Sequence, residues 1–319
     1  MKCSSRASRW PAFLLWLLLV KSAILPGNAA SEFHASPRLQ ELVDQAARGT
    51  LAKFAATKLE TNQLAITLVD LRDPDQPGWA SFRGSEQVYP ASVIKMFYLV
   101  AAHRWMEDGK LKDTEELRRA MKDMIVDSLN EATGLIVDSL TGTTSGPELP
   151  PDELERWYER RNAVNRYFAS LGFQNINVNR KPWGEGPYGR EMQSVQLHQP
   201  NHRNWLTTEA TARLLVEIAT SKSITRERSL QMMELLHRRP FEKDSDVQSR
   251  EYTGVALPAG AKLWSKAGWT SEVRHDAACV ELPDRSKFVL ITFTTGHSNE
   301  KEIIPEVARL VVQGFPDGK

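Results

Sequence analysis

The chain has 319 residues, of which 41% are hydrophobic and 25% charged, and its formal net charge is +1. That balance is the one of an ordinary globular protein, and its near-neutrality excludes the strongly basic surface of a nucleic-acid binder. No stretch reaches the roughly 20 apolar residues that a membrane-spanning helix needs.

The first thirty residues differ from the rest. Lys2, Arg6 and Arg9 precede the run "PAFLLWLLLV", and the small residues "GNAAS" follow, with a cleavage site near Ala29 or Ala30. This is the layout of an export signal, a short apolar stretch behind a positive start. Residues 1–30 are read as a leader and 31–319 as the working domain; retention of the leader as an anchor is the other reading. Removing Lys2, Arg6, Arg9 and Lys21 takes the formal charge from +1 to −3. Of the two cysteines, Cys3 leaves with the leader, and its place before the apolar run does not suit lipid attachment. Cys279, in the apolar run "AACVEL", is expected to be a buried thiol, so no disulfide forms within the mature chain.

Residues 37–58 carry apolar side chains at helical spacing and predict an opening helix. "LAITLVDLRD" (64–73) alternates as a strand, "PDQPGW" is a turn, and "WASFRGSEQVY" closes a hairpin. From Pro90 to about residue 220 the pattern is helical with breaks. "GTTSGPELPP" (142–151) reads as a loop, and residues 177–204 read as a long polar connection of the kind that is functional or disordered. Three strand-like runs follow, "AKLWSKAGWTS", "DAACVEL" and "KFVLITFTTG", and an amphipathic helix over 300–315 ends the chain. The order predicts an α/β fold. Its five strands form one antiparallel sheet flanked by the N- and C-terminal helices, with an all-helical lobe, about 91–220, inserted between strands. A cleft between two such lobes favours small-molecule chemistry.

Three polar stations interrupt these elements. Ser92 and Lys95 stand three apart at the start of "SVIKMFYLVAAH", so one helix face carries both. A serine hydroxyl needs a neighbouring base to become nucleophilic, and a lysine desolvated among Val93, Ile94, Met96 and Phe97 loses basicity and suits that role. The helix start also offers free N–H groups to an oxyanion. Ser128 and Asn130, in "DSLNEATGL", place a hydroxyl for proton relay beside an amide for substrate; helix capping by Asp127 or Ser128 is the plain alternative. Lys266-Ala267-Gly268 sets a cation, a small residue and a glycine on a strand, where glycine admits a close substrate backbone. An edge-strand lysine that merely discourages aggregation is the plain alternative there.

In this order and in these contexts the stations resemble the three motifs of the penicillin-recognising serine hydrolases, and most closely of the class A β-lactamases: Ser-x-x-Lys, Ser-Asp-Asn and Lys-Thr/Ser-Gly. The resemblance covers most of residues 35–315. It implies Ser92 as nucleophile, Lys95 as its base, and Ser128 as proton relay aided by Lys266. It implies an oxyanion hole from the N–H groups of Ser92 and Trp269, and substrate contacts from Asn130, Ala267, Gly268 and Arg274. It implies no metal or organic cofactor. The ligand would be a small β-lactam or a peptidoglycan stem peptide, met outside the cytoplasm by a monomer.

The match departs from the family in four places. Leu129 replaces the aspartate, and Ala267 replaces a hydroxyl residue that contacts the substrate carboxylate. Ser92 and Ser128 are closer in sequence than in class A enzymes, so part of the helical lobe is reduced while 142–161 is expanded. Lys181-Pro182-Trp183 falls where a glutamate holds the deacylating water, leaving Glu185, and after it Glu191, as candidate bases. β-Lactam hydrolysis is the leading expectation. A D-Ala-D-Ala carboxypeptidase or slowly deacylating penicillin-binding enzyme is the runner-up, and a non-catalytic binder of cell-wall fragments is third. His198 and His202 have metal-like spacing, but Pro200 between them argues against a helix. No Gly-x-Ser-x-Gly elbow occurs.

Overall fold

The computed structural model describes Met1 and residues 33–183, 186–197 and 203–315. The leader reading, Glu185, His198 and His202 fall outside the described residues. Seven strands form one sheet: β1 (His34–Ala35), β2 (Leu64–Asp70), β3 (Gly78–Phe82), β4 (His237–Arg238), β5 (Lys262–Trp269), β6 (Val273–Glu281) and β7 (Lys287–Thr295), in the order β1-β3-β2-β7-β6-β5-β4. The five strands expected from sequence are its centre, all antiparallel. The expectation of five is corrected by one two-residue strand at each edge, of which β1 runs parallel to β3. Two residues are too few to show alternation, so nothing in the sequence marks these edges.

Eleven α-helices are described: α1 (Pro37–Lys53), α2 (Lys95–Glu107), α3 (Glu115–Ile125), α4 (Asn130–Thr141), α5 (Pro151–Arg161), α6 (Ala163–Ser170), α7 (Gly189–Leu197), α8 (Thr208–Ala219), α9 (Arg226–Leu236), α10 (Val247–Arg250) and α11 (Ile303–Gly314). Helices α1 and α11 cover one face of the sheet, where Leu42, Val43, Val307 and Val311 join Ile66, Leu68 and Leu290 in one core. Ala65, Val69 and Ile291 face the other way, into a second core shared with α2, α8 and their neighbours. The central strands are therefore buried on both sides, which is why "LAITLVD" is apolar almost throughout. Its one hydroxyl, on Thr67, meets that of Thr208 on α8 at 2.8 Å, so the polar atom is satisfied inside the core.

Helices α2 to α9 all lie between β3 and β4 in the chain. Helix α2 runs through their middle, with Met96 to Ala102 buried on every side, as an all-apolar helix should be. The long polar connection of the sequence reading contains a helix, α7. Its buried face is Glu191 and Ser194 rather than apolar residues, so hydrophobic periodicity could not reveal it.

Candidate active site

The segment before α2 makes a 3-10 turn over Ala91–Ile94, and Ala91 holds φ +46, a left-handed conformation unusual for a residue with a Cβ. Strain of this kind persists only where the surroundings enforce it. Part of that enforcement comes from His275 on β6. Its Nδ1 accepts the Thr294 N–H at 3.1 Å, which leaves the proton on Nε2 to donate to the Tyr89 carbonyl at 2.9 Å. Burial pushes the His275 pKa down to about 4, so the ring stays neutral in this role. On the other side, Gly268 of β5 presses against the turn. A Cβ at Gly268 would lie 2.8 Å from the nitrogen of Ser92 and 2.8 Å from the oxygen of Pro90. Only glycine lets the strand approach this closely.

The three stations of the sequence come together around Ser128. Lys95 Nζ donates to the Ser128 carbonyl at 2.7 Å and to Asn130 Oδ1 at 2.9 Å, and lies 3.2 Å from Ser128 Oγ. Lys266 Nζ lies 3.0 Å from the same hydroxyl and donates to the Ala267 carbonyl and to Gln248 Oε1, each at 2.7 Å. The expected Lys95–Ser92 hydrogen bond is not formed: the ammonium is held on the Ser128 side. Burial lowers the Lys95 pKa to about 7, with the Glu131 charge opposing. Lys266 is pushed well down, first by complete burial and then by the charges of Lys95 and Arg238.

Proton counting makes the pair informative. Each lysine has two fixed acceptors, so a neutral amine spends both N–H bonds on them and turns its lone pair to Ser128. The one hydroxyl proton can serve either amine, and an ammonium on the other side donates back. Ser128 itself sits at φ +57, two residues before α4, again a strained position at the centre of the cluster.

Strand β4 pairs only with Leu263 and Trp264 of β5, so the stretch from Lys266 to Trp269 presents an edge with no further strand among the described residues. Ala267 N–H points outward along that edge, because it donates to the Gln248 side chain at 3.1 Å. Two residues on, the Trp269 N–H shares that direction, next to Gly268, which packs against the Ser92 nitrogen. Asn130 spends Oδ1 on Lys95 and leaves its NH₂ to donate. Leu129, in the place of the aspartate, is 46% exposed and takes no part in the cluster. Arg274, opposite Trp269 in the sheet, is tied to Glu251 at 2.9 Å and stacks 4.2 Å from the Tyr252 ring centre. Ala267 is buried against Tyr252 and Ile304.

Glu191 is not at the nucleophile. It is buried in a cluster with Arg161 (2.7 Å), Ser145 (3.0 Å) and Lys181 (3.5 Å), and Asp138 completes the group by pairing with Lys181 and Arg161. Lys181, in the place of the expected glutamate, thus turns towards α4. Cys279 is a buried free thiol, with its pKa pushed up to about 11 by burial.

The sequence profile of the beta-lactamase enzyme family matches residues 114–315, more than half of the chain. The chain belongs to the beta-lactamase enzyme family. Solved structures share the fold at low identity. A point mutant of PBP-A, as an acyl-enzyme complex with penicillin G, is 18% identical with a TM-score of 0.64, covering 89% of this chain and 98% of that one. A β-lactamase from Sphaerobacter thermophilus is 19% identical with a TM-score of 0.62, covering 84% and 96%. One from Chitinophaga pinensis is 17% identical with a TM-score of 0.63, covering 85% and 99%. No curated protein matches the sequence. Membership of the beta-lactamase family makes the chain a serine hydrolase acting on β-lactam amides. Among the described residues no helix is long and apolar enough to cross a membrane.

Three features of the site carry no sequence signal. Gln248 lies on the four-residue α10, 18 positions before Lys266, outside any motif. Arg238 props the strand from behind by donating to the Ser265 and Ile125 carbonyls at 3.1 and 2.9 Å. His275 adjoins Arg274, but its partners are backbone atoms distant in sequence.

Proposed function

We propose that this chain is an exported hydrolase that opens β-lactam amides through an acyl-enzyme on Ser92. The observation that carries it is the placement of Ser128 Oγ between Lys95 and Lys266, at 3.2 and 3.0 Å. Lys95, with a pKa near 7, takes the Ser92 proton as Oγ attacks the carbonyl. The N–H groups of Ser92 and Trp269 receive the oxyanion. Ser128 then gives its proton to the leaving nitrogen, and a neighbouring lysine replaces it. Asn130 holds the acyl side chain through its free NH₂. An unbonded Lys95–Ser92 pair in the resting enzyme is compatible with this, since catalytic hydrogen bonds tighten when substrate binds. The captured PBP-A mutant, an acyl-enzyme with penicillin G, supports the same covalent route. The leader at residues 1–30 supports action outside the cytoplasm.

The second reading is a penicillin-binding enzyme whose acyl form persists. It is favoured by the burial of Glu191 against Arg161 and Lys181, away from solvent water. Glu185 remains the candidate base of the first reading. Purified mature protein mixed with a chromogenic cephalosporin and with a fluorescent penicillin decides between them. Steady turnover supports hydrolysis, and labelling at one equivalent without turnover supports the persistent acyl-enzyme. Absence of labelling, with Ser92→Ala indistinguishable from the parent, overturns both.

A further inference from the structure

The side chain of Gln248 holds the end of the site where a ligand anion would be expected. Its Oε1 accepts from the Lys266 amine at 2.7 Å and from the Ala267 N–H at 3.1 Å. A cation and a backbone N–H converging on one oxygen is the way a carboxylate oxygen is bound. Gln248 cannot simply swing aside. It is buried, and its Nε2 donates to the Val126 carbonyl at 2.9 Å, which fixes the amide with oxygen towards Lys266.

Lys266 itself has no donor to spare. The remaining contacts of Lys266 go to the Ala267 carbonyl and Ser128 Oγ. Ala267 offers a methyl group and no hydroxyl. The Arg274 guanidinium pairs with Glu251, whose second oxygen takes Lys301 at 2.8 Å, so its placement is set by that shared carboxylate. What faces a ligand beyond the open edge is aromatic: Trp269 is 45% exposed, with its ring 6.3 Å from that of Tyr252. This is the leaving-group side, because Ser128 and Lys266, which serve the leaving nitrogen, adjoin Ala267. A carboxylate placed against Lys266 and Ala267 would find both donors already taken by the Gln248 oxygen.

We propose that Gln248 acts as a built-in substitute for a substrate carboxylate, so that the site takes amides whose leaving side carries no negative charge. Gln248 is thereby a specificity-determining residue, and the inference rests on the Ser92 acylation reading. The test compares a fluorescent penicillin with its carboxyl methyl ester, measuring the second-order rate of labelling at Ser92 by mass spectrometry. In the parent the acid and the ester should react within about threefold of each other, and Gln248→Met, which keeps volume but removes the acceptor, should raise the acid-to-ester ratio about tenfold or more. A parent that labels with the acid more than about tenfold faster than with the ester overturns the proposal even if the variant fails to fold. So does a folded Gln248→Met with the parent's ratio. If neither compound labels the parent, the Ser92 reading fails and takes this proposal with it.

Discussion

Lys95 Nζ donates to the Ser128 carbonyl at 2.7 Å, so the base of one motif is tied to the backbone of the next across 33 residues of chain. The bond fixes the amine at the mouth of the cluster while burial lowers its pKa to about 7. Base function needs the neutral amine, so labelling of Ser92 should rise with pH through a midpoint near 7 and level off above it. Lys95→Ala should remove that profile and slow labelling by about 10²–10⁴-fold, the usual worth of a positioned acid–base group. A flat profile in the parent, measured as labelling rate from pH 5 to 9, would show that another group accepts the proton.

Ser128 combines strain with function. At φ +57 a glycine is more comfortable than a serine, so Ser128→Gly should leave the melting temperature unchanged or raise stability by up to ~1 kcal/mol. The same change removes the hydroxyl that both lysines face, and labelling should fall by about 10²-fold or more. Stability gained with activity lost is the signature of a strained functional residue. Thermal unfolding and labelling rates on one preparation check both halves.

Much of this candidate site is legible in the sequence, and the reason is physical. Ser92, Lys95, Ser128 and Lys266 carry chemistry that sparse residue types must supply at element starts and on one strand, so they leave spacing in the sequence. Gln248, Arg238 and His275 act by contact with backbone distant in the chain, and such contacts leave no period to read. The same holds for the fold. The five central strands announce themselves by strand-like runs between turn signals, whereas β1 and β4 are two residues each, and α7 buries a glutamate where a helix pattern would place a leucine. Glu191 reads as a candidate base for a related reason: an acid in a polar stretch of sequence does not announce the buried cations that surround it.

That cluster gives a prediction that separates structure from chemistry. Arg161 is fully buried, with Glu191 at 2.7 Å and Asp138 at 3.2 Å as its partners. Glu191→Gln should therefore destabilise the protein by ~3 kcal/mol, because it leaves a buried guanidinium short of charge. If Glu191 instead activated the deacylating water, the variant would keep its stability and merely prolong the acyl-enzyme. Urea unfolding alongside the lifetime of the penicillin adduct distinguishes the two.

Two buried histidines set the acid limit of the fold. His275 and His103 both have pKa values pushed down to about 4, chiefly by burial, against 6.5 for a free histidine. The sign follows from which state binds the proton. Between pH 6.5 and 4 the unfolded chain protonates these rings and the native fold does not, so stability is intact above 6.5 and declines as pH falls towards 4. Each histidine accounts for ~3 kcal/mol over that interval. His103 has no hydrogen-bond partner at either ring nitrogen among the described residues, whereas His275 is bonded at both. His103→Leu should therefore be tolerated at pH 7.5 and should flatten the decline at low pH, leaving labelling of Ser92 unchanged. His275→Leu breaks the Tyr89 and Thr294 bonds behind the nucleophile turn, and should cost both stability and labelling even at pH 7.5. Urea midpoints for parent and both variants from pH 4 to 7.5 provide the comparison. A parent whose stability does not change over that range would mean that both rings ionise as freely in the fold as in water.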